Sequence, residues 1–327
     1  MQTKLQNIIR KFSKSRIVVV GDLLADEFLY GQVSRISREA PVLVLESRDS
    51  IRLPGGAANA ALNLLSLNAG AAIAGAVGQD EPGKDILAAL ERLGAETQLI
   101  RKIREYGTPV KTRILAGAPH AAPHQIVRVD RSNVLNPSLR FSRRSLQQAV
   151  QKADGIILSD YGYNTITASL RSDLIRMAAA KGIPIVADSR FRMSDYIGVT
   201  AITPNITELE AAVGISIGTD TKRLHSTAAK VLAQQKLRYL LVTQGRFGMT
   251  LFETGKRPLH IPIYGTDEVA DVTGAGDTVI AVFTLALTCG AAASDAALLA
   301  NYAGGIVVMK QGTATVSQSE LKKAITE

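Results

Sequence analysis

Residues 155–189 read GIILSDYGYNTITASLRSDLIRMAAAKGIPIVADS. A short run of aliphatic and β-branched residues leads into a longer Ala- and Leu-containing segment that stops at Lys-Gly, and a second short apolar run follows. The short runs suit strands buried on both faces, the middle segment has helical length, and Lys-Gly is a usual helix stop. Strand, helix and strand in that order make a crossover unit, which lays the two strands parallel in one sheet.

The same alternation continues outward in both directions. It predicts further strands at 16–22, 71–78, 201–205 and 239–245, and further helices at 56–70, 83–95 and 207–214. No repeat period appears and no Pro- or Ser-rich linker divides the chain, so residues 1–327 are expected to form a single α/β domain around a mostly parallel sheet. Two stretches break the pattern, 28–48 and 96–130. Their rough alternation of polar and apolar residues suits a half-exposed antiparallel sheet. Such a sheet could be a lid over the carboxyl ends of the strands, where open α/β sheets bind ligands, or a pair of plain surface hairpins.

Composition narrows the class. The chain has 327 residues, 46% hydrophobic and 20% charged, which is ordinary globular composition. One cysteine, Cys289, excludes a disulfide framework and a cysteine-rich zinc site. The first residues, MQTKLQNIIRKFSKSR, carry no apolar core of signal-peptide length, so a cytoplasmic protein is expected. The longest apolar run, VIAVFTLALTCGAAA from Val279, is too short for a membrane span and reads as a buried helix. Formal net charge is +9, but the basic residues are scattered and aromatics are only 5%, with no Trp. This favours polyanionic small molecules over nucleic acid or a membrane surface as partners.

Two nucleotide-binding patterns are approached and missed. GQDEPGKD at 78–85 has P-loop spacing, yet Asp85 stands where a hydroxyl should meet magnesium. GAGDTV at 274–279 begins like a dinucleotide fingerprint, but Val279 replaces its third glycine. The longer segment DVTGAGDTVIAVF at 271–283 offers something else. Its Gly-Ala-Gly turn opens an apolar helix, and the amides of Gly274, Ala275 and Gly276 could form an anion-holding nest. Asp277 beside that nest is either a general base that accepts a proton from an attacking hydroxyl or a simple helix cap.

DVTGAGD resembles the C-terminal signature of the ribokinase (PfkB) family of carbohydrate kinases, with Val272 where many members have Thr. The N-terminal signature is resembled by GGAANAALNLLSLNAG at 55–70 followed by GAVGQDEPGKDIL at 75–87, and VVGD at 19–22 and TPNITELE at 203–210 fall in the family's order. The match covers nearly the whole chain. It implies a ribokinase-like three-layer α/β/α sandwich with a small β-sheet lid, use of ATP and Mg2+, and Asp277 as base with the 274–276 amides holding the transferred phosphoryl group. Within the family the chain most resembles D-glycero-β-D-manno-heptose-7-phosphate kinases of lipopolysaccharide precursor synthesis. The segments that carry this likeness are 19–46, 52–63, 110–117, 271–282 and 301–317. Bifunctional relatives add a nucleotidyltransferase domain with an H-x-G-H motif that the four His residues here do not form, so the sequence reads as the stand-alone kinase. Two stretches depart from the pattern, ADSRF at 187–191 and AGAPHAAPHQ at 116–125.

The resemblance implies sugar binding by Asp22, Gly55, Gly56 and Asn59. It also implies an ATP site at Asn205, Ile206, Thr207 and Glu208, with Thr243, Gly245 and Asn301 nearby. Asn205 and Glu208 would organise magnesium through water, and Glu208 equally suits the first turn of a helix. Asp271 and Thr273, with Gly312, occupy positions where relatives often hold potassium. A phosphorylated sugar needs a cation on the lid, for which Lys111, Arg113 and Arg128 are candidates, and Asp130 either holds a sugar hydroxyl or pairs with one of them. Pairing of exposed lid strands between two chains would give a homodimer. The competing expectations are a sister kinase for ribose or fructose 6-phosphate, and a ligand-binding protein that kept the fold without turnover.

Overall fold

The computed structural model describes residues 2–117, 124–133, 141–265 and 270–326. Helix α1 (Gln2–Lys11) leads into β1 (Arg16–Gly21), and after Asp22 the chain enters two long strands, β2 (Leu23–Ile36) and β3 (Leu43–Gly56). Next come α2 (Ala57–Ser66), β4 (Gly70–Gly78), α3 (Glu81–Arg92), β5 (Glu96–Ile103), β6 (Val110–Gly117) and β7 (His124–Arg131). The second half runs α4 (Arg143–Lys152), β8 (Gly155–Asp160), α5 (Ala168–Lys181), β9 (Ile185–Ser189), β10 (Ala201–Ile202), α6 (Ile206–Val213) and α7 (Thr221–Gln234). It closes with β11 (Tyr239–Thr243), β12 (Met249–Glu253), β13 (Leu259–Ile261), α8 (Ala275–Thr288), α9 (Ala293–Val308) and α10 (Gln318–Thr326).

Among the described residues nine strands form the main sheet in the order β13-β12-β11-β10-β9-β8-β1-β4-β5. All neighbours are parallel except the β11–β12–β13 meander at one edge. Side chains of β1 alternate between two cores, as the period of a strand requires. Ile17 and Val19 pack with residues of α1, α2, α3, α8, α9 and α10, while Val18 and Val20 pack with residues of α4, α5, α6 and α7. The result is a three-layer α/β/α sandwich. Both layers are needed because parallel strands present apolar side chains on both faces.

The second sheet has the order β3-β2-β6-β7, with β2 antiparallel to β3 and parallel to β6. The expected lid boundaries need correction. Its strands begin at Leu23 and run to Gly56, beyond 28–48, so the lid is rooted one residue after β1. Glu96–Ile103, the start of the 96–130 stretch, is the edge strand of the main sheet, parallel to β4. An edge strand covered on one face alternates in exposure much as a lid strand does, so alternation alone did not separate the two. Residues 118–123 of the AGAPHAAPHQ stretch lie outside the described residues.

Candidate active site

The carboxyl ends of β8, β9, β10 and β11, the start of α8 and the inner face of the lid surround a cleft of about 600 Å³. That is the size of a small-molecule site, at the place where open α/β sheets bind ligands.

Gly274 caps α8 with φ 78°, and a side chain there would crowd Asn59, whose Nδ2 would lie 2.5 Å from the added carbon. The Ala275 amide donates to the Val272 carbonyl at 3.3 Å, whereas among the described residues those of Gly274 and Gly276 have no protein acceptor. Asp277 is 2% exposed and lines the cleft. Its carboxylate does not cap its own helix: Oδ2 accepts from Asn59 Nδ2 at 3.1 Å and Oδ1 from the Tyr161 hydroxyl at 3.0 Å. Burial pushes the Asp277 carboxyl up to about 7, the two hydrogen bonds pull it back, and the charge of Asp26 adds to the rise. A carboxyl poised near neutrality beside unpaired amides can accept a proton where an anion is held.

Several sugar-site expectations are redistributed. Asp22 is 1% exposed and does not line the cleft; Oδ2 accepts the amides of Tyr161 and Tyr163 at 2.8 and 3.0 Å, and Oδ1 that of Thr165 at 3.1 Å. Its oxygens fasten the loop after β8. Asp26, four residues on, does line the cleft, bound to Arg113 Nη1 at 2.6 Å and to the Thr313 hydroxyl at 3.2 Å. Asn59 points inward: it donates to Asp277 and to the Gly274 carbonyl, and Asn63 Nδ2 donates to its Oδ1 at 3.2 Å. Gly55 is required because a side chain would overlap the Asp26 carboxylate, and one on Gly56 would press on the Asp22 carbonyl. Both glycines make room for neighbouring protein atoms.

On the lid side, Lys111, Arg113 and Arg128 all line the cleft, but they are not equally free. Arg113 is paired with Asp26, and Arg128 makes a two-point pair with Asp130 at 2.8 and 3.0 Å. Lys111 is 5% exposed, with its ammonium 4.4 Å from the centre of the Tyr161 ring. Burial and the facing Arg190 push it down to about 8.

Toward the other end of the cleft, Asn205 and Glu208 form a reciprocal cap on α6. Asn205 Oδ1 accepts the Glu208 amide at 2.8 Å and Glu208 Oε2 accepts the Asn205 amide at 3.0 Å. Both also line the cleft, unlike Ile206 and Thr207. Burial raises Glu208, and Asp188, at the end of β9, is raised well above the usual carboxylate range by burial and then by Glu208 and Asp277. Thr243, Gly245 and Asn301 line the wall, although Asn301 lies inside α9 and donates to the Pro262 carbonyl at 2.9 Å. Asp271 accepts the amides of Thr273 and Gly312 at 2.9 and 3.1 Å, which joins the two loops.

Sequence reasoning missed Asp26, Asp160, Tyr161, Asp188 and Arg190, all of which line the cleft. A readable signal existed for two of them: Asp160 and Asp188 lie at the carboxyl ends of apolar parallel strands.

Comparison with known proteins bears on family and fold. The profile of the pfkB family carbohydrate kinases matches residues 14–320. The bifunctional protein HldE of Desulfatibacillum aliphaticivorans is 39% identical over 315 residues, which cover 95% of this chain and 63% of the relative. HldE of Citrifermentans bemidjiense is 38% identical over 323 residues, covering 97% and 65%. The chain therefore spans somewhat less than two thirds of the length of these curated relatives. Among solved structures, Arabidopsis thaliana ribokinase complexed with ribose and ATP aligns with a TM-score of 0.75 at 20% identity, covering 96% of this chain and 99% of the ribokinase. The fold is ribokinase-like. Since the family profile spans nearly the whole chain, the protein belongs to the pfkB family of carbohydrate kinases, sugar phosphotransferases that use ATP.

Proposed function

We propose that this kinase phosphorylates the anomeric hydroxyl of D-glycero-β-D-manno-heptose 7-phosphate, giving the 1,7-bisphosphate and ADP. The relatives named HldE support a heptose acceptor. The observation that carries the chemistry is Asp277, buried in the cleft wall at the mouth of the unpaired α8 amides.

In this reading the acceptor oxygen attacks the γ-phosphorus of ATP while the bond to the β–γ bridging oxygen breaks and its electrons leave with ADP. The acceptor proton passes to Asp277 Oδ1. The amides of Gly274 and Gly276, with the start of the α8 dipole, meet the charge on the transferred group. Asp26 accepts hydrogen bonds from sugar hydroxyls, and Lys111, which of the three lid cations lining the cleft is the one without a carboxylate partner among the described residues, faces the anionic acceptor. Asn205 and Glu208 fit a magnesium ion held through water, since a cation there would relieve the burial that raises Glu208. Magnesium would neutralise charge on the ATP phosphates. Potassium at the Asp271–Gly312 junction, a cytoplasmic location and pairing of two chains through the lid belong to the same proposal. The exposed lid residues Leu43, Ile51, Val127 and Val129 favour that pairing.

Asp277→Asn is expected to lower kcat about 10²–10⁴-fold while MgATP binding, followed by calorimetry, survives. Near-normal turnover would reject the base. Assaying heptose 7-phosphate beside ribose and fructose 6-phosphate separates the acceptor readings, and no ATP consumption with any sugar would favour the ligand-binding alternative.

A further inference from the structure

Tyr161 is the donor that shares the cleft with Asp277. Its main chain is fixed from behind: Asp22 accepts the amides of residues 161, 163 and 165, so the loop after β8 is pinned to the end of β1. The ring is fixed from the sides, by the Lys111 ammonium at 4.4 Å from its centre and by Gly56, whose absent side chain would lie 3.2 Å from Cε2. The hydroxyl donates to Asp277 Oδ1 at 3.0 Å. Oδ2 is held on the interior side by Asn59, which does not line the cleft, whereas Tyr161 does. Oδ1 is therefore the oxygen that an acceptor hydroxyl can reach, and Tyr161 already holds it.

Resting on the reading of Asp277 as the base, we propose that Tyr161 is a positioning residue that aims Oδ1 at the acceptor and favours the ionised carboxylate over the neutral acid. The groups facing Asp277 come from five elements. Asp26 of β2 and Asp188 of β9 oppose its charge, while Lys111 of β6, Asn59 of α2 and Tyr161 after β8 support it. Of the two neutral donors, Tyr161 alone is placed to feel the substrate. Burial and the neighbouring carboxylates hold the phenol well above its ordinary range, so it remains a donor throughout the working pH range.

The test is the pH profile of kcat/KM for Tyr161→Phe. A hydrogen bond to a charged group is strong enough that its loss should move the acid limb upward by about one to two pH units. kcat at pH 7 should fall about tenfold, with the KM for MgATP unchanged within about twofold. A merely structural role would scale the whole profile down without moving the limb, and that result would overturn the proposal. Fluorotyrosine at 161 keeps the size and strengthens the donor, so it should move the limb the other way. It decides the matter even if the Phe variant folds poorly, because an unmoved limb there refutes the role as well. Asp277→Asn separates the two readings. If it retains turnover the base itself is wrong, and if it loses turnover while both Tyr161 variants leave the limb in place, only the positioning role fails.

Discussion

At the scale of single residues, the proposed base Asp277 would serve catalysis and folding in opposite senses. Its carboxyl is pushed from 3.8 up to about 7 in the folded protein. Between those values the folded chain keeps a proton that the unfolded chain has released, so the contribution of this site to stability declines as pH rises. The proposed base works in its ionised form, so kcat/KM should climb through about pH 7, and titration of Lys111 near 8 should bring it down again. A profile flat from pH 6 to 9 would contradict both assignments. The same logic makes Asp277→Asn more heat-stable than the wild type at pH 8, measured by thermal melting, because a buried charge has been removed. The sequence displayed Asp277 clearly, through its turn and helix, but it did not show which nearby aspartate lines the cleft. Asp22 and Asp26 both sit in GDLLADEF, and only the position where β1 ends and β2 begins tells them apart.

At the scale of elements, α6 carries two roles on one pair of side chains. The Asn205–Glu208 cap satisfies amides at the helix start, and the same groups line the cleft. Asn205→Ala should cost about 0.5–2 kcal/mol in urea unfolding and raise the magnesium concentration needed for half-maximal rate. Loss of stability without any change in magnesium demand would leave the cap as its whole role. N-x-x-E was legible as a motif, yet whether it caps or binds was not, since both need the same residues at the same spacing. Helices α2, α3, α5 and α6 and their neighbouring strands were legible from apolar period and stop signals. The main-sheet strand at Glu96–Ile103 was not, because its partner β4 is fixed by packing and not by local pattern.

At the scale of the whole molecule, layers could be read but order could not. Alternating strand and helix segments imply two helical layers around a sheet, whereas the sequence β13-β12-β11-β10-β9-β8-β1-β4-β5 depends on which crossovers pack together. The net charge of +9 is spread over the surface, and Lys111, Arg113 and Arg128 are the basic residues of the lid that reach the cleft. The two donors that grip Asp277 lie 116 and 218 positions away along the chain. A refolding intermediate with its helices and strands formed, but with α8 not yet docked against α2, would carry an ordinary acid at 277 and no aligned acceptor. Far-ultraviolet circular dichroism should therefore recover ahead of turnover after dilution from urea, and recovery of both signals in one phase would show that the grip forms as early as the helices do.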